Sequence, residues 1–335
     1  MSEIKVLYIG DFCSNGKTTR MANDNVLGLI KNGVNVVCKT IIDGKVDQEI
    51  AECFNNTLDD ITHCIQHVPT EYMIGSSMYK KNIGIIDYEG GKMYDDVISR
   101  MDEIWHYNNF LDCGKTIYPS FKDKSFYNMQ GPSISIKNID NTYKFYTTMN
   151  YSRNKNVEDL LTAFYLTFDE TYPVSLIIKL RSKDSEKDLF DHISKISEII
   201  KSKIGKISYP KEIIMCGNME DEKMASLHRY CDCFVNTSSD FGIDYNTLDA
   251  VGFGSQIITH NNSVYHYSKN ANLVESINHE YKDGYVKKYV KYDILELKNM
   301  FIKLFTEGKK STLESNEIDT GSIEFNGKII KDLLI

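Results

Sequence analysis

Near the start of the chain, YIGDFCSNGKTTR (Tyr8 to Arg20) runs an apolar segment into a polar, glycine-bearing turn and then into a helix-like segment. Gly16-Lys17-Thr18 has the ending of a P-loop, which works by aiming successive backbone N–H groups at phosphate oxygens. A P-loop places four residues between its first glycine and its Gly-Lys pair, whereas five separate Gly10 from Gly16. The extra residue changes which N–H groups converge, so a glycine turn of another kind competes with an ATP-dependent P-loop enzyme. Aspartate pairs occur at Leu58–Asp60 (LDD) and Tyr94–Asp96 (YDD). Neither forms an Asp-x-Asp, and in polar or helix-like surroundings both read as solvated faces rather than Mg²⁺ ligands. The closest cysteines, Cys231 and Cys233, make a C-x-C without any C-x-x-C pair that would suggest zinc. Free thiols in a reducing compartment, with no metal, are the expectation.

The elements that must position such residues alternate between strand and helix. IKVLYIGDF reads as a buried parallel strand; Ala22, Val26, Leu29 and Ile30 then recur at helical spacing, and Gly33 supplies a stop signal. VNVVCKTII follows as the next strand, so the glycine turn stands at the carboxyl end of the first strand, where open α/β sheets bind ligands. Further strands are expected at Ile61–Val68, Asn82–Tyr88 and Asp102–Tyr107, with MYDDVISRM as a short helix. From Cys113 to Thr142 the apolar period is lost. The alternation restarts with TYKFYTTM, and strands at VSLIIKL, EIIMC, CFVNTS and SQIITH are separated by helical faces such as Leu160, Leu161, Phe164 and Phe168. Two successive α/β halves are the expected architecture. The domains are placed at 1–130 and 131–318, with a last helix at 319–335.

Bulk properties narrow the function classes. At 335 residues the chain exceeds the size at which one core keeps growing, which favours two domains. A formal charge of −8 argues against a large, non-specific nucleic-acid footprint, since phosphate contacts need clustered Lys and Arg. No apolar run reaches the roughly 18 residues of a membrane span, and the first residues lack the apolar core of a signal peptide. A soluble, cytoplasmic protein is therefore expected.

The most specific stretch is LHRYCDCFVNTSSDFGIDYNTLDAVGFGSQIITHNNS, Leu227 to Ser263. It resembles the donor-site segment of retaining glycosyltransferases of the GT-B fold, in the group that includes glycogen and mannosyl transferases (glycosyltransferase family four). Asp232, Phe234-Val235, Ser238, Phe241-Gly242, Asp249-Ala250, Gly254 and Ile257-Ile258 fall in the order of that group's pattern. NYSRNKNVEDLLTAF looks like its basic segment, HVP at His67 and DYEGGK around Glu89 like strand ends of its acceptor domain, and SNGKTT like its N-terminal glycine loop. The resemblance implies two Rossmann-like domains facing across a central cleft, with a C-terminal helix crossing back to the first domain. It also implies transfer of a sugar from a nucleoside-diphosphate sugar to a glycan or other hydroxyl acceptor, lipid-linked acceptors included.

That chemistry must offset the charge gathering on a departing diphosphate, and it needs no metal if cations and N–H dipoles do so. The resemblance assigns this task to Arg153 and Lys155. Gly16, Phe241, Gly242 and Ile243 would add backbone N–H groups, and Asp249 would accept the ribose hydroxyls. His67 would polarise the sugar or acceptor, and Glu89 would hold or deprotonate an acceptor hydroxyl. The chain departs from the group's Glu-Gly-Phe-Gly turn, with Ser239 and Asp240 before Phe241 and two additional residues between Gly242 and Asp249. Asp240 stands in for the glutamate. Two alternatives stay open on the same scaffold: an enzyme that glycosylates a modified DNA base, disfavoured by the charge, and a non-catalytic sugar-nucleotide-binding protein.

Overall fold

The structure is a computed structural model, and it describes residues 4–14, 16–86, 99–107, 114–134, 136, 139–152, 155–182, 185–239, 244–260, 271–274, 276–282, 286–308 and 321–335. The chain divides into two compact units. Unit 1 comprises residues 1–123, 281–287 and 315–335; unit 2 comprises residues 124–280 and 288–314.

Unit 1 is built on strands β1 (Lys5–Gly10), β2 (Asn35–Thr40), β3 (His63–His67), β4 (Lys81–Ile86), β5 (Glu103–His106) and β6 (Lys115–Thr116). Their order is β2-β1-β3-β4-β5-β6, and every pairing is parallel. Near-continuous burial of Val6, Leu7, Tyr8, Ile83, Ile85 and Ile86 is what a parallel strand covered on both faces requires. The helix between β1 and β2 is α1 (Lys17–Lys31), whose buried face carries Met21, Ala22, Val26 and Leu29. Asn32 and Gly33 end it, and Gly33 takes the left-handed φ of +75° that its missing Cβ allows. Between β3 and β4 no crossover helix forms among the described residues. The chain instead runs from Val68 to Lys80 with a single 3₁₀ turn at Thr70–Tyr72. Buried Gln66 pins that segment through both backbone groups of Ile74, at 2.7 and 3.0 Å.

Unit 2 opens with a short helix, α2 (Lys124–Asn128), and carries β7 (Tyr143–Asn150), β8 (Val174–Arg181), β9 (Lys211–Cys216), β10 (Cys233–Val235), β11 (Gln256–His260) and β12 (Ala271–Val274). The order is β12-β11-β10-β7-β8-β9, again parallel throughout. Its helices are α3 (Val157–Thr167), α4 (Glu186–Ile204), α5 (Asp221–Tyr230), α6 (Tyr245–Gly252) and α7 (Ile294–Glu307). On one face Phe145 of β7 meets Phe164, Phe168 and Phe301 at ring separations of 4.7 to 6.3 Å, in the edge-on and offset arrangements aromatic rings favour. On the other, Tyr146 packs on His228 of α5 at 5.5 Å. Strands β13 (Ser276–Lys282) and β14 (Val286–Tyr292) pair with each other outside both sheets.

The expected α/β class with two Rossmann-like sheets is thus what the chain adopts. The last helix, α8 (Ile323–Leu334), packs on α1 of unit 1. The two helices touch at glycine: a Cβ on Gly28 would stand 2.7 Å from the Ile323 carbonyl and 2.8 Å from the Gly327 Cα. Asn32 Nδ2 donates to the Glu324 carbonyl (2.8 Å), Lys331 Nζ to the Asn32 carbonyl (2.7 Å), and Asn326 Nδ2 to the Pro119 carbonyl (3.0 Å). No helix among the described residues is long and apolar enough to cross a membrane. The described cysteines are free thiols.

Candidate functional site

In each sheet the chain doubles back once, and the two reversals mark where a ligand finds an opening at the carboxyl edge. In unit 1 the reversal lies between β1 and β3; in unit 2 it lies between β7 and β10. Of the sequence-derived candidates that the structure describes, Gly16 and His67 stand at the unit 1 edge and Lys155 at the unit 2 edge, while Asp249 lies on the helix between β10 and β11.

At the unit 1 edge Gly10 and His67 are register partners. A Cβ on Gly10 would already touch Tyr8, the His67 carbonyl and Ala22 at 3.3 to 3.6 Å, so the glycine keeps the two strand ends close. The turn that follows is organised by Asp11. Its Oδ1 accepts the N–H groups of Cys13 and Ser14, both at 3.0 Å, and its Oδ2 accepts the Ser14 hydroxyl. Ser14 Oγ lies 2.6 Å from Thr19 Oγ1 on α1, tying the turn to the helix. Burial pushes the Asp11 pKa up, but hydrogen bonds from Ser14, Cys13 and Thr19 outweigh it, and the net effect lowers the pKa. Gly16 caps α1 with extended backbone (φ −109°, ψ 172°) and no side-chain cap, and the first turn of α1 holds no acidic residue. The first N–H groups of α1 have no intrahelical partner, and the positive end of the helix dipole lies there.

His67 is 2% exposed. Its Nδ1 stands 3.1 Å from the Tyr8 hydroxyl. Asn25 Nδ2 donates both to Tyr8 Oη (3.0 Å) and to Tyr107 Oη (2.7 Å). The Tyr8 hydroxyl links Asn25 to the His67 ring and fixes the ring's orientation. His67 is thus a buried, oriented imidazole at the end of β3. His63 and His228 are core residues: His63 Nδ1 meets Thr62 Oγ1 at 2.8 Å, and His228 Nδ1 meets Tyr146 Oη at 2.8 Å.

At the unit 2 edge, Lys155 Nζ donates to Ser238 Oγ at 3.0 Å. The segment that leaves β7 is fastened to the segment that leaves β10 by two further bonds: Thr237 Oγ1 to the Lys155 carbonyl (2.8 Å) and Asn156 Nδ2 to the Thr237 carbonyl (3.0 Å). Asn156 caps α3 in the left-handed region (φ 50°), a conformation that asparagine tolerates better than most residues. Asn236 Oδ1 accepts the Ser238 N–H at 2.9 Å, and the Asn236 carbonyl accepts the Tyr292 hydroxyl at 2.6 Å. Asp249 lies on α6, 6% exposed. That helix is started by Asp244, whose side chain accepts the Asn246 N–H (3.1 Å) and the Thr247 hydroxyl (3.0 Å).

Glu89, Arg153, Asp240, Phe241, Gly242 and Ile243 lie outside the described residues, as do residues 93–98 of the helix expected at MYDDVISRM, whose described end forms a turn at residues 99–100. Within unit 1 the structure joins the Gly16 turn and His67 through Gly10 and Tyr8. Within unit 2 it joins Lys155 to Ser238. Asp11 and the Tyr8–Asn25–Tyr107 cluster were not legible as site residues; the one sequence signal for Asp11 was Asp followed two and three positions on by Cys13 and Ser14, the spacing of an Asx turn. Among the described residues no group of three His, Cys, Asp or Glu side chains stands together as a metal site.

Solved structures with a similar fold include glycosyltransferases. The chain is similar to a glycosyltransferase from Rickettsia africae ESF-5 (TM-score 0.67, 10% identity, 99% of this chain and 98% of that one). It is similar to the E. coli trehalose-6-phosphate protein bound with UDP-2-fluoro glucose (TM-score 0.63, 9% identity, 98% of each chain). It is also similar to Anabaena HepE in complex with UDP and glucose (TM-score 0.58, 10% identity, 98% of this chain and 95% of that one). At such identities the likeness is one of fold, and the fold is GT-B. No protein-family profile matches the sequence, and no curated protein matches it.

Proposed function

We propose that this protein is a retaining, metal-independent GT-B glycosyltransferase of the cytoplasm. It moves a sugar from a nucleoside-diphosphate sugar to a glycan or lipid-linked hydroxyl acceptor. The observation that carries the reading is the tether at the β7/β10 reversal, where the Lys155 ammonium is held on Ser238 at the carboxyl edge of unit 2. Support comes also from the fold shared with structures that hold UDP and a sugar.

In this reading the diphosphate gains negative charge as the glycosidic bond breaks. Lys155 and Arg153 offset that charge as a point cation and a planar fork of donors. Backbone N–H groups of the Gly16 turn, and those of Phe241, Gly242 and Ile243, add dipoles to the same task. Because these groups carry the neutralisation, no divalent cation is needed. Asp249 accepts the ribose hydroxyls, and Asp240 contacts the transferred sugar in place of the glutamate usual in the resembled group. His67 polarises the sugar or acceptor, and Glu89 holds the acceptor hydroxyl.

The test is a thermal-shift panel of UDP, GDP, ADP, dTDP and Mg-ATP, in EDTA for the diphosphates, followed by a diphosphate-release assay with the sugar nucleotide of the base that binds. Stabilisation by one diphosphate that is lost in Asp249→Ala or Lys155→Ala is the expected result. A response to Mg-ATP alone would overturn the reading. The altered turn at Asp240 favours one second reading, a binding protein on the same scaffold, and diphosphate binding without any sugar release would select it.

A further inference from the structure

Lys179 is a buried ammonium that the site described above does not use. It stands two residues before the end of β8 and is 4% exposed. Nζ donates to the carbonyls of Leu180 (3.2 Å) and Gly217. Its partners are dipoles rather than a carboxylate; Glu186 and Cys216 act on it through space only, as does the cation of Arg181. Burial lowers its pKa from the ordinary lysine value, opposed by Cys216 and Glu186 and aided by Arg181. A charge buried in this way costs stability that a well-packed apolar side chain would not.

What the ammonium holds is the turn that leaves β9. Gly217 has a φ of +104°, and a Cβ there would collide with the Glu186 carboxylate. The Gly217 N–H also donates back to the Leu180 carbonyl at 3.0 Å. The turn from Gly217 to Glu220, which leads into α5, is therefore held by Lys179 and by a conformation that favours glycine. It lies at the carboxyl edge of the unit 2 sheet, on the strand next but one to β7. Thr148, the register partner of Lys179 on β7, has a buried Oγ1 without a hydrogen-bond partner among the described residues. Polar capacity on this side of the edge is thus not used up by the fold.

We propose that Lys179 is a positioning residue for the donor: it holds the Gly217–Glu220 turn in the shape that receives the nucleoside-diphosphate part of the sugar nucleotide. The inference rests on the glycosyltransferase reading and extends it to a residue that touches no reacting atom. Rigid support behind a contact surface fixes its geometry before the ligand arrives. A lysine retained at a cost to stability is what such a role leaves behind.

The test compares full-length wild type, Lys179→Met and Lys179→Arg. UDP, GDP and ADP are titrated calorimetrically, Tm is measured without ligand, and hydrogen exchange is followed across residues 217–220. Lys179→Met is expected to weaken the diphosphate that wild type binds by about tenfold, the size typical of losing a supporting contact behind a ligand group. Its Tm is expected to equal or exceed that of wild type, its 217–220 amides to exchange faster, and Lys179→Arg to recover part of the affinity. Unchanged affinity in Lys179→Met overturns the assignment. So does a variant that fails to fold or that loses Tm and affinity together, because that marks a structural lysine. If wild type binds none of the three diphosphates, the donor reading falls and the positioning role falls with it. Wild-type binding with an indifferent Lys179→Met removes the positioning role alone.

Discussion

Lys155 Nζ stands 3.0 Å from Ser238 Oγ, across the reversal of the unit 2 sheet, and that bond joins residues 83 positions apart. Each residue is set in place by its own backbone. Lys155 precedes the left-handed cap Asn156 of α3, and Ser238 is turned by Asn236 at the end of β10. On the proposed function, Lys155→Ala lowers kcat by roughly 100-fold or more, the range seen when one charge-stabilising donor is removed. Ser238→Ala costs less, because the ammonium survives and loses only its orientation. Initial-rate measurements with the sugar nucleotide identified by the panel check both, and a kcat for Lys155→Ala equal to wild type would remove the residue from the chemistry.

Asp11 holds the glycine turn by accepting two N–H groups and a hydroxyl. Asp11→Ala leaves those donors without their partner and should cost about 1–3 kcal/mol of stability. Its folded pKa lies below the usual carboxylate value, so its contribution is present above the unfolded pKa near 4 and is lost as pH falls through that window. Urea titrations at pH 7 and pH 3 should show a gap between wild type and Asp11→Ala that narrows at the lower pH. A constant gap would contradict the account.

Tyr8, Tyr146 and Tyr292 are fully buried, and burial raises the pKa of each. A folded pKa above the unfolded one means stability that is complete below the unfolded value, about 10, and declines as pH rises beyond it. Alkaline titration should therefore show part of the phenolate absorbance appearing together with loss of circular dichroism, not ahead of it. Full ionisation near pH 10 with secondary structure intact would mean that these hydroxyls are open to solvent.

Gly28 and Gly327 allow α1 and α8 to approach within a distance that no Cβ permits. Gly28→Val should destabilise unit 1 by about 1–3 kcal/mol through overpacking, by forcing the helices apart. Chemical denaturation with far-ultraviolet detection measures it, and a change under about 0.5 kcal/mol, the ordinary range for an uninvolved surface site, would show that the crossing yields freely.

Much of the architecture was legible in the chain because parallel strands with two covered faces leave long apolar runs. KVLYIG and SLIIKL could be read as strands, and the helices announced themselves by faces such as Leu160, Leu161 and Phe164. Segments without such periods were not legible. The Val68–Lys80 crossing has no helix, and what holds it is one buried amide, Gln66, whose partner Ile74 lies eight positions away. β6 is two residues long, and β12, β13 and β14 lie where tyrosine, lysine and asparagine blur the alternation. For the candidate site, Gly16, His67, Lys155 and Asp249 were proposed from their order along the chain. Asp11, Asn25 and Lys179 were missed because their meaning is spatial. Asn25 matters only once Tyr8 and Tyr107 are brought to it, and Lys179 inside an apolar run reads as the polar end of a strand.

The pairing of α8 with α1 sets an order of events on the ribosome. Lys331 reaches the Asn32 carbonyl across 299 positions of sequence, so α1 waits for α8 before its glycine face is covered. Domains tend to fold as they emerge, yet unit 1, which comprises both residues 1–123 and residues 315–335, cannot complete itself before α8 is made. A nascent chain halted before residue 321 would carry an open seam along α1, and chaperone capture of stalled chains should track that seam.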